Sequence, residues 1–254
     1  MPTTLMLRLS CIDYLSDTNE LQSMASSTIP ANFYRVEDHI YSCFEHDNNA
    51  PYDRKAKRYE SVVRSTLYNL VMWGTTPSDY ARFAREALSS CEGAILDVGC
   101  GGLCHTARLY AQSDRNLILL DYSIVMLRLG KARIEKLANP FPANIQLLHA
   151  DAFHLPFPSS SIDNVVSFGV MHLFKPKQEY VSSLLGVLKP GGRFYFTSLT
   201  TDRSLSRLYI KYLEKQQELT DGLSSAEVVA LFAGKTTTLH HKTIGSMVFI
   251  WGVR

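Results

Sequence analysis

From residue 94 onward the chain alternates short apolar runs with amphipathic stretches, and few architectures satisfy that alternation. AILDV, NLILLD, IQLLHAD, NVVSFGV and RFYFTSL read as strands of the kind a parallel sheet buries on both faces. The stretches between them have helical spacing. One carries Leu103, Ala107, Tyr110 and Ala111 on a face. A second is capped by Ser123 and carries Leu127, Gly130, Ile134 and Leu137; a third, YVSSLLGVL, is stopped by KPGG. The expected fold class is therefore α/β: a doubly wound, mostly parallel sheet with helices on both faces.

The C-terminal part departs from the alternation. Residues 235–242 and 246–253 are β-rich, with a turn around Gly245 and no helix between them, so they predict a hairpin that adds an antiparallel strand. Before them lie a helix with Leu205, Leu208, Tyr209, Tyr212 and Leu213 on one face and a shorter one, SSAEVVALF. Leu205, Leu208 and Tyr212 on that stripe are candidates to roof an apolar ligand, although such a stripe is more commonly ordinary packing against the domain. Upstream of residue 94, Thr76-Pro77-Ser78-Asp79 reads as a capped helix start. Tyr59, Val62, Val63, Thr66 and Leu70 form a helical stripe ending near Trp73 and Gly74. Residues 1–50 show no strong period. The expected organisation is a partly irregular arm over 1–50, a helical cap over 51–93, and the main α/β domain over 94–254 with a helical insertion at 203–232.

Composition narrows the function classes. Hydrophobic residues make up 46% and charged residues 20%, as in a globular chain. A formal charge of +2 gives no electrostatic reason to expect a nucleic-acid partner. No window has the roughly 18 consecutive apolar residues of a membrane span, and the N-terminus does not read as a signal or transit peptide. The five cysteines are odd in number and irregularly spaced, which fits reduced thiols and a cytoplasmic location. Cys100, Cys104 and His105 lack the further ligands of a metal site, so no metal is expected. The basic run Arg54, Lys55, Lys57 and Arg58 is a candidate for peripheral membrane contact or an anionic substrate, although such runs are commonly solvated faces.

The most informative stretch is ILDVGCGGLCHTA, residues 95–107. A dinucleotide fingerprint requires G-x-G-x-x-G, and its third glycine here is Cys104. Asp97 stands two residues before the first glycine, at the carboxyl end of the strand. A carboxylate there repels a pyrophosphate and suits an ammonium or sulfonium ligand. Asp121 ends the next strand, 20 residues after Gly101, where a carboxylate accepts from ribose hydroxyls and rejects a 2′-phosphate. Asp151 follows the third strand, within reach of an adenine amine. Three acids at successive strand ends line the crevice in which open α/β sheets bind ligands.

The segments ILDVGCGG, LILLDYS, HADAFHLPFPSSSIDNVVSFGVMHLF and LLGVLKPGGRFYFTSL, over about residues 94–200, resemble the class I S-adenosylmethionine-dependent methyltransferases. The resemblance is closest to the small-molecule group that includes quinone-biosynthesis enzymes. It implies a Rossmann-like seven-stranded sheet ordered 3-2-1-4-5-7-6 with an antiparallel last strand, and S-adenosylmethionine as cofactor. It also implies that Asp97, Gly99 and Gly101 cradle the methionine part and that Asp121 holds the ribose hydroxyls. Tyr122 and Met126 are implied beside the adenosine, Asp151 and Ala152 at the adenine edge, and Phe168 at the junction with substrate. One position departs: the family's third glycine falls at Leu103, which puts a side chain near the methionine tail.

The sulfonium methyl is already activated, so its transfer needs alignment in a dry pocket, and a general base only where the acceptor must lose a proton. His172 in GVMHLF is the candidate base; His154 has less positional support. Ser167-Phe168-Gly169-Val170 stands where amino-group methylases of DNA bases and glutamine resemble one another in an Asn- or Asp-Pro-Pro-aromatic motif, which argues against nucleic acid as substrate. The reading is a methyltransferase of a small apolar or aromatic metabolite, with a non-catalytic cofactor-binding regulator or assembly protein as the alternative. A nicotinamide oxidoreductase is disfavoured by Asp97 and the missing glycine.

Overall fold

A computed structural model describes residues 33–44 and 62–254. In chain order the strands are β1 (Tyr34–Glu37), β2 (Ile40–Ser42), β3 (Ile95–Val98), β4 (Leu117–Asp121), β5 (Ile145–His149), β6 (Ile162–Phe168), β7 (Leu188–Leu199), β8 (Thr238–Ile244) and β9 (Met247–Val253). The helices are α1 (Thr66–Tyr68, running on into a π-turn, Asn69–Trp73), α2 (Pro77–Ser90), α3 (Ala107–Ala111), α4 (Ile124–Glu135), α5 (Lys177–Val187), α6 (Ser204–Lys215) and α7 (Ser225–Ala230).

The strands form one sheet in the order β1-β2-β5-β4-β3-β6-β7-β9-β8. Without β1 and β2 this is the expected 3-2-1-4-5-7-6, and β9 runs antiparallel to both β7 and β8. The apolar runs at its centre are buried from end to end, as a sheet covered on both faces requires. One core layer packs Leu96, Val98, Ile118 and Phe196 against α5 and α7. The other packs Ile95, Leu117 and Leu119 against α2, α3 and α4. Ser123 caps α4 by accepting from the Met126 N–H at 3.1 Å, and Asp79 accepts from Thr76 at the start of α2.

Several expectations change. Two further strands extend the expected seven, because part of the arm, expected to be partly irregular, joins the sheet. Ile40, Tyr41 and Ser42 pair in parallel with Leu147, Leu148 and His149, and β1 folds back on β2. A three-residue strand is too short to show a period. The helix after the glycine turn begins at Ala107, so Leu103 belongs to the turn. KPGG lies inside β7 as an irregularity in its pairing with β6. Of the upstream stripe, Tyr59 lies outside the described residues. Val62 and Leu70 are exposed, and the buried side chains are Asn69 and Trp73, because the π-turn rotates the apolar face.

Ile40→Ala is expected to destabilise the protein by about 2–4 kcal/mol, because it removes a fully buried side chain in β2. Val36→Ala, at an exposed position of β1, should stay within about 0.5 kcal/mol. Urea denaturation of both variants checks this; an equal, small effect would mean that the arm is not part of the cooperative core.

Candidate cofactor and acceptor site

The carboxyl ends of β3, β4, β5 and β6 share one edge of the sheet, and the loops leaving them build the site. Asp97 lies in β3 on the side of α2–α4 and is buried. The Tyr110 hydroxyl, on the buried face of α3, donates to Asp97 Oδ2 at 2.8 Å. Its other oxygen, Oδ1, has no hydrogen-bond partner among the described residues. Burial pushes the Asp97 carboxyl up to about 7, the Tyr110 bond pulls it down, and the like charge of Asp121 pushes it up again. A buried carboxylate oxygen with no donor is costly, and a bound cation would relieve that cost.

The glycine turn is left-handed at three places: φ is 73° at Gly99, 57° at Gly101 and 58° at Leu103. A Cβ on Gly99 would stand 2.6 Å from Val170 Cγ2, so this glycine admits the loop after β6. At Gly101 nothing lies within 4 Å of where a Cβ would be; the turn presents bare backbone to open space, as a close ligand requires. Leu103 does not occupy that space. Its side chain is 2% exposed and packs on Gly130 of α4, where a Cβ would come 3.0 Å from Leu103 Cγ. Left-handed backbone costs a non-glycine residue roughly 1–2 kcal/mol, which burying a leucine, worth about 1.5–3 kcal/mol, offsets.

Asp121 accepts from the Gly101 N–H through Oδ2 and from the Ser123 N–H through Oδ1, both at 2.8 Å, so the second acid is tied to the turn that follows the first. Tyr122 is exposed, while Met126 is buried in the first turn of α4. Asp151 accepts from the Phe153 N–H at 2.9 Å and pairs with His154 Nδ1 at 2.7 Å. Ala152 is buried, and its carbonyl accepts from Ser183. The structure brings Asp97, Gly101 and Asp121 into one cluster with Tyr110. Asp151 and His154 form a separate pair beyond β5. Phe168 turns toward α2 and meets the edge of Phe83, ring centroids 5.9 Å apart.

His172 lies in a 3-10 turn after β6 and is buried. The Leu199 N–H donates to its Nδ1 at 3.4 Å. Burial, together with the nearby Lys177 ammonium, drives its pKa down to about 3. Lys177 is buried as well, donating to the Phe174 and Thr220 carbonyls at 2.8 and 3.0 Å and to the Thr220 hydroxyl. The expected roof is corrected. Leu205, Leu208 and Tyr212 of α6 face solvent, and the helix buries Ser206 and Ile210 instead.

Sequence reasoning missed Tyr110 as a partner of Asp97, since helical spacing shows a buried face and not what it touches. It also missed an aromatic group from the arm: Phe44 lies 5.5 Å from Tyr122 and 4.7 Å from His149, ring to ring, and His149 bonds Ser42 and the Tyr122 carbonyl. Tyr80 of α2 stacks on His105 at 5.6 Å and lies against Gly169, so α2 leans over the loop after β6. A recess lined by Ser90, Asp163, Lys189 and Arg193 opens at the opposite edge of the sheet, where an ion pair between Lys189 and Asp163 crosses it.

Residues 96–196 match the family described as a methyltransferase domain. The chain is 31% identical over 175 residues to the ubiquinone/menaquinone biosynthesis C-methyltransferase of Pseudomonas putida (strain GB-1), over 65% of this chain and 67% of that protein. The chain belongs to the class I S-adenosylmethionine-dependent methyltransferases. An uncharacterized chloroplastic methyltransferase of Arabidopsis thaliana is 38% identical over 128 residues, 48% of this methyltransferase and 36% of that one. In structure, geranyl diphosphate C-methyltransferase from Streptomyces coelicolor A3(2), solved with Mg2+, geranyl diphosphate and S-adenosyl-L-homocysteine, shares the fold with a TM-score of 0.58 at 14% identity, covering 82% of this chain and 100% of that one. The cofactor of this methyltransferase is S-adenosylmethionine. The residues present fit it: the unpartnered Asp97 oxygen suits the cationic methionine end, and the bare backbone at Gly101 leaves room beside it.

Two outcomes are expected. Because the free protein holds the Asp97 proton up to about pH 7 and a bound ammonium favours the carboxylate, S-adenosylhomocysteine affinity should fall about tenfold from roughly pH 8 to pH 6. Titration calorimetry of the wild type and of Asp97→Asn checks this; the variant should bind weakly and lose that pH dependence. Gly130→Val should destabilise the protein by about 1–3 kcal/mol through overpacking. Leu103→Ala in the same chain should restore part of the loss, and a double-mutant cycle reads that coupling.

Proposed function

We propose that this methyltransferase transfers the methyl group of S-adenosylmethionine to a small apolar or aromatic acceptor by direct displacement. The observation that carries the reading is the half-satisfied Asp97 carboxylate beside the open backbone of Gly101, a site suited to a cation and not to a pyrophosphate. In this reading Asp97, Gly99 and Gly101 hold the methionine part and Asp121 the ribose hydroxyls. Tyr122 and Met126 flank the adenosine, Asp151 and Ala152 take the adenine edge, and Phe168 borders the acceptor. When bound, the cofactor supplies an electrophilic methyl group; the chain orients the acceptor and excludes water. The helical segment before residue 94 and the 203–232 insertion carry specificity. An apolar acceptor is supported by the aromatic groups of α2, Tyr80 and Phe83, beside the loop after β6, and by the Pseudomonas relative, a C-methyltransferase of ubiquinone and menaquinone biosynthesis.

His172 fits the acceptor side as an orienting group. With Nδ1 accepting from Leu199 the ring proton rests on Nε2, and the depressed pKa keeps the ring neutral at physiological pH. A neutral imidazole in this tautomer donates to an acceptor oxygen and does not withdraw its proton.

The test is incubation of the purified protein with methyl-labelled S-adenosylmethionine and hydroquinones, phenols, aliphatic amines or tRNA, followed by mass spectrometry of the products. Label in a hydroquinone or phenol, with release of S-adenosylhomocysteine, is the expected result. Label confined to tRNA or amines overturns the substrate class. His172→Asn should lower kcat by about 10- to 100-fold and introduce no new limb in the pH profile between roughly pH 5 and 9.

A further inference from the structure

Of the large apolar side chains that the described residues leave exposed, most belong to one ridge. Val62, Leu67, Leu70 and Val71 lie on or beside α1 and its π-turn, and Leu205, Leu208 and Tyr212 lie on α6; Leu67 is 72% exposed and Leu208 68%. The two segments are packed together. Ser206 donates to the Met72 carbonyl at 2.6 Å, the Tyr68 hydroxyl donates to that of Tyr209 at 3.2 Å, and the Trp73 and Tyr209 rings are 5.5 Å apart. Trp73 and Ile210 fill the interior beneath them, so the exposed residues are surplus to the core.

The charge beside this ridge has one sign. Arg207, Lys211 and Lys215 recur every fourth residue along the exposed side of α6, next to Leu208 and Tyr212. Arg64 is the one charged residue from Val62 to Ser78. The acid within α6, Glu214, is turned to the Gly222 N–H at 2.7 Å, and Asp202 just before the helix accepts from Thr200 and the Ser225 N–H. The next acid, Glu218, lies past the end of the helix. Isolated exposed leucines need no explanation; a row of them beside a basic row on an amphipathic helix matches an anionic lipid surface. A two-fold contact between copies would set the basic row against itself or close to it, which disfavours a second chain as occupant.

We propose that the α1–α6 ridge docks this methyltransferase on an anionic lipid bilayer, with Leu67, Leu70, Leu208 and Tyr212 entering the headgroup–acyl boundary and Arg207, Lys211 and Lys215 meeting lipid phosphates. The ridge lies at the carboxyl edge of the sheet: α6 follows the end of β7, and the Ser246 N–H in the β8–β9 turn donates to the Trp73 carbonyl at 2.6 Å. The glycine turn opens at the same edge. Resting on the proposed apolar acceptor, docking brings the crevice to the bilayer from which such a molecule would be drawn. Lipid binding itself does not depend on that reading.

The experiment is co-sedimentation of the full chain with phosphatidylcholine vesicles, with and without about 30% phosphatidylglycerol, at low and high salt. The expected result is binding to the anionic vesicles only, weakened by salt. Lys211→Glu should reduce it about fivefold or more, at roughly 1 kcal/mol per basic residue near such a surface. Leu67→Glu with Leu208→Glu should abolish it, whereas Leu137→Glu, at an exposed leucine beyond α4, should leave it unchanged. Unchanged S-adenosylhomocysteine binding by each variant establishes that it is folded. No vesicle binding by the wild type overturns the proposal, as does binding that survives the double substitution. So does a wild-type dimer in sedimentation equilibrium that the double substitution converts to monomer with no lipid binding.

Discussion

Asp97 sits near the end of a strand covered on both faces, where an ion loses most of its hydration and a single tyrosine returns part of it. The groups around it follow from that position. Tyr110 must come from a helix packed on the same face, so the glycine turn has to bring α3 back across β3. The backbone donors of Gly99 and Cys100 are spent on the Leu120 carbonyl, and that of Gly101 on Asp121, so none of them serves Asp97. The carboxylate keeps one oxygen bonded and one open, and a cation placed there gains attraction in surroundings of low dielectric. The same burial that makes the free carboxylate costly would favour a cation over an anion beside it.

Leu103 shows how the turn absorbs a departure from its family's pattern. A third glycine would leave the turn thin on both sides. The leucine thickens only the side toward α4, and Gly130 there gives up its own side chain to receive it. The left-handed backbone at Leu103 is set by the turn, and the strain is offset by burial. The two residues are coupled: an alanine at position 130 would press on the leucine, and a small residue at 103 would leave a gap beneath the turn.

The long, strongly patterned elements were legible in the sequence. The central strands, the Ser123 cap, the helix start at Thr76 and the antiparallel last strand all follow from local pattern and turn chemistry. The positions of Asp97 and Asp121 beside the glycine turn were legible too, because both lie near the carboxyl ends of adjacent parallel strands; Asp151, past the end of β5, pairs with His154 apart from them. What escaped was set by tertiary contacts. β2 is a strand only because β5 offers it an edge, and Phe44 reaches Tyr122 only because β2 is there. The stripes on α1 and α6 were visible as periodic apolar residues, but periodicity cannot say which face a π-turn leaves outward or whether a stripe is core or surface. Tyr110 showed as a buried position, without its carboxylate partner.

The two sides of the crevice differ in charge, and the difference suits the transfer of a methyl cation equivalent. Asp97 and Asp121 gather on the side proposed for the cofactor. Beyond β6 the His172 ring is kept neutral by burial and by the ammonium of Lys177, whose own charge is directed into carbonyl and hydroxyl oxygens. A protonated imidazole there would repel a sulfonium and lower the nucleophilicity of an acceptor bonded to it. Displacement spreads or neutralises the sulfonium charge as the new bond forms. Weakly polar surroundings hinder such a step less than one that creates charge, provided that the polar groups present are already oriented. Burial, with the fixed Lys177 ammonium adding to it, keeps this ring in the neutral form, which in the proposed reading could face a cationic cofactor.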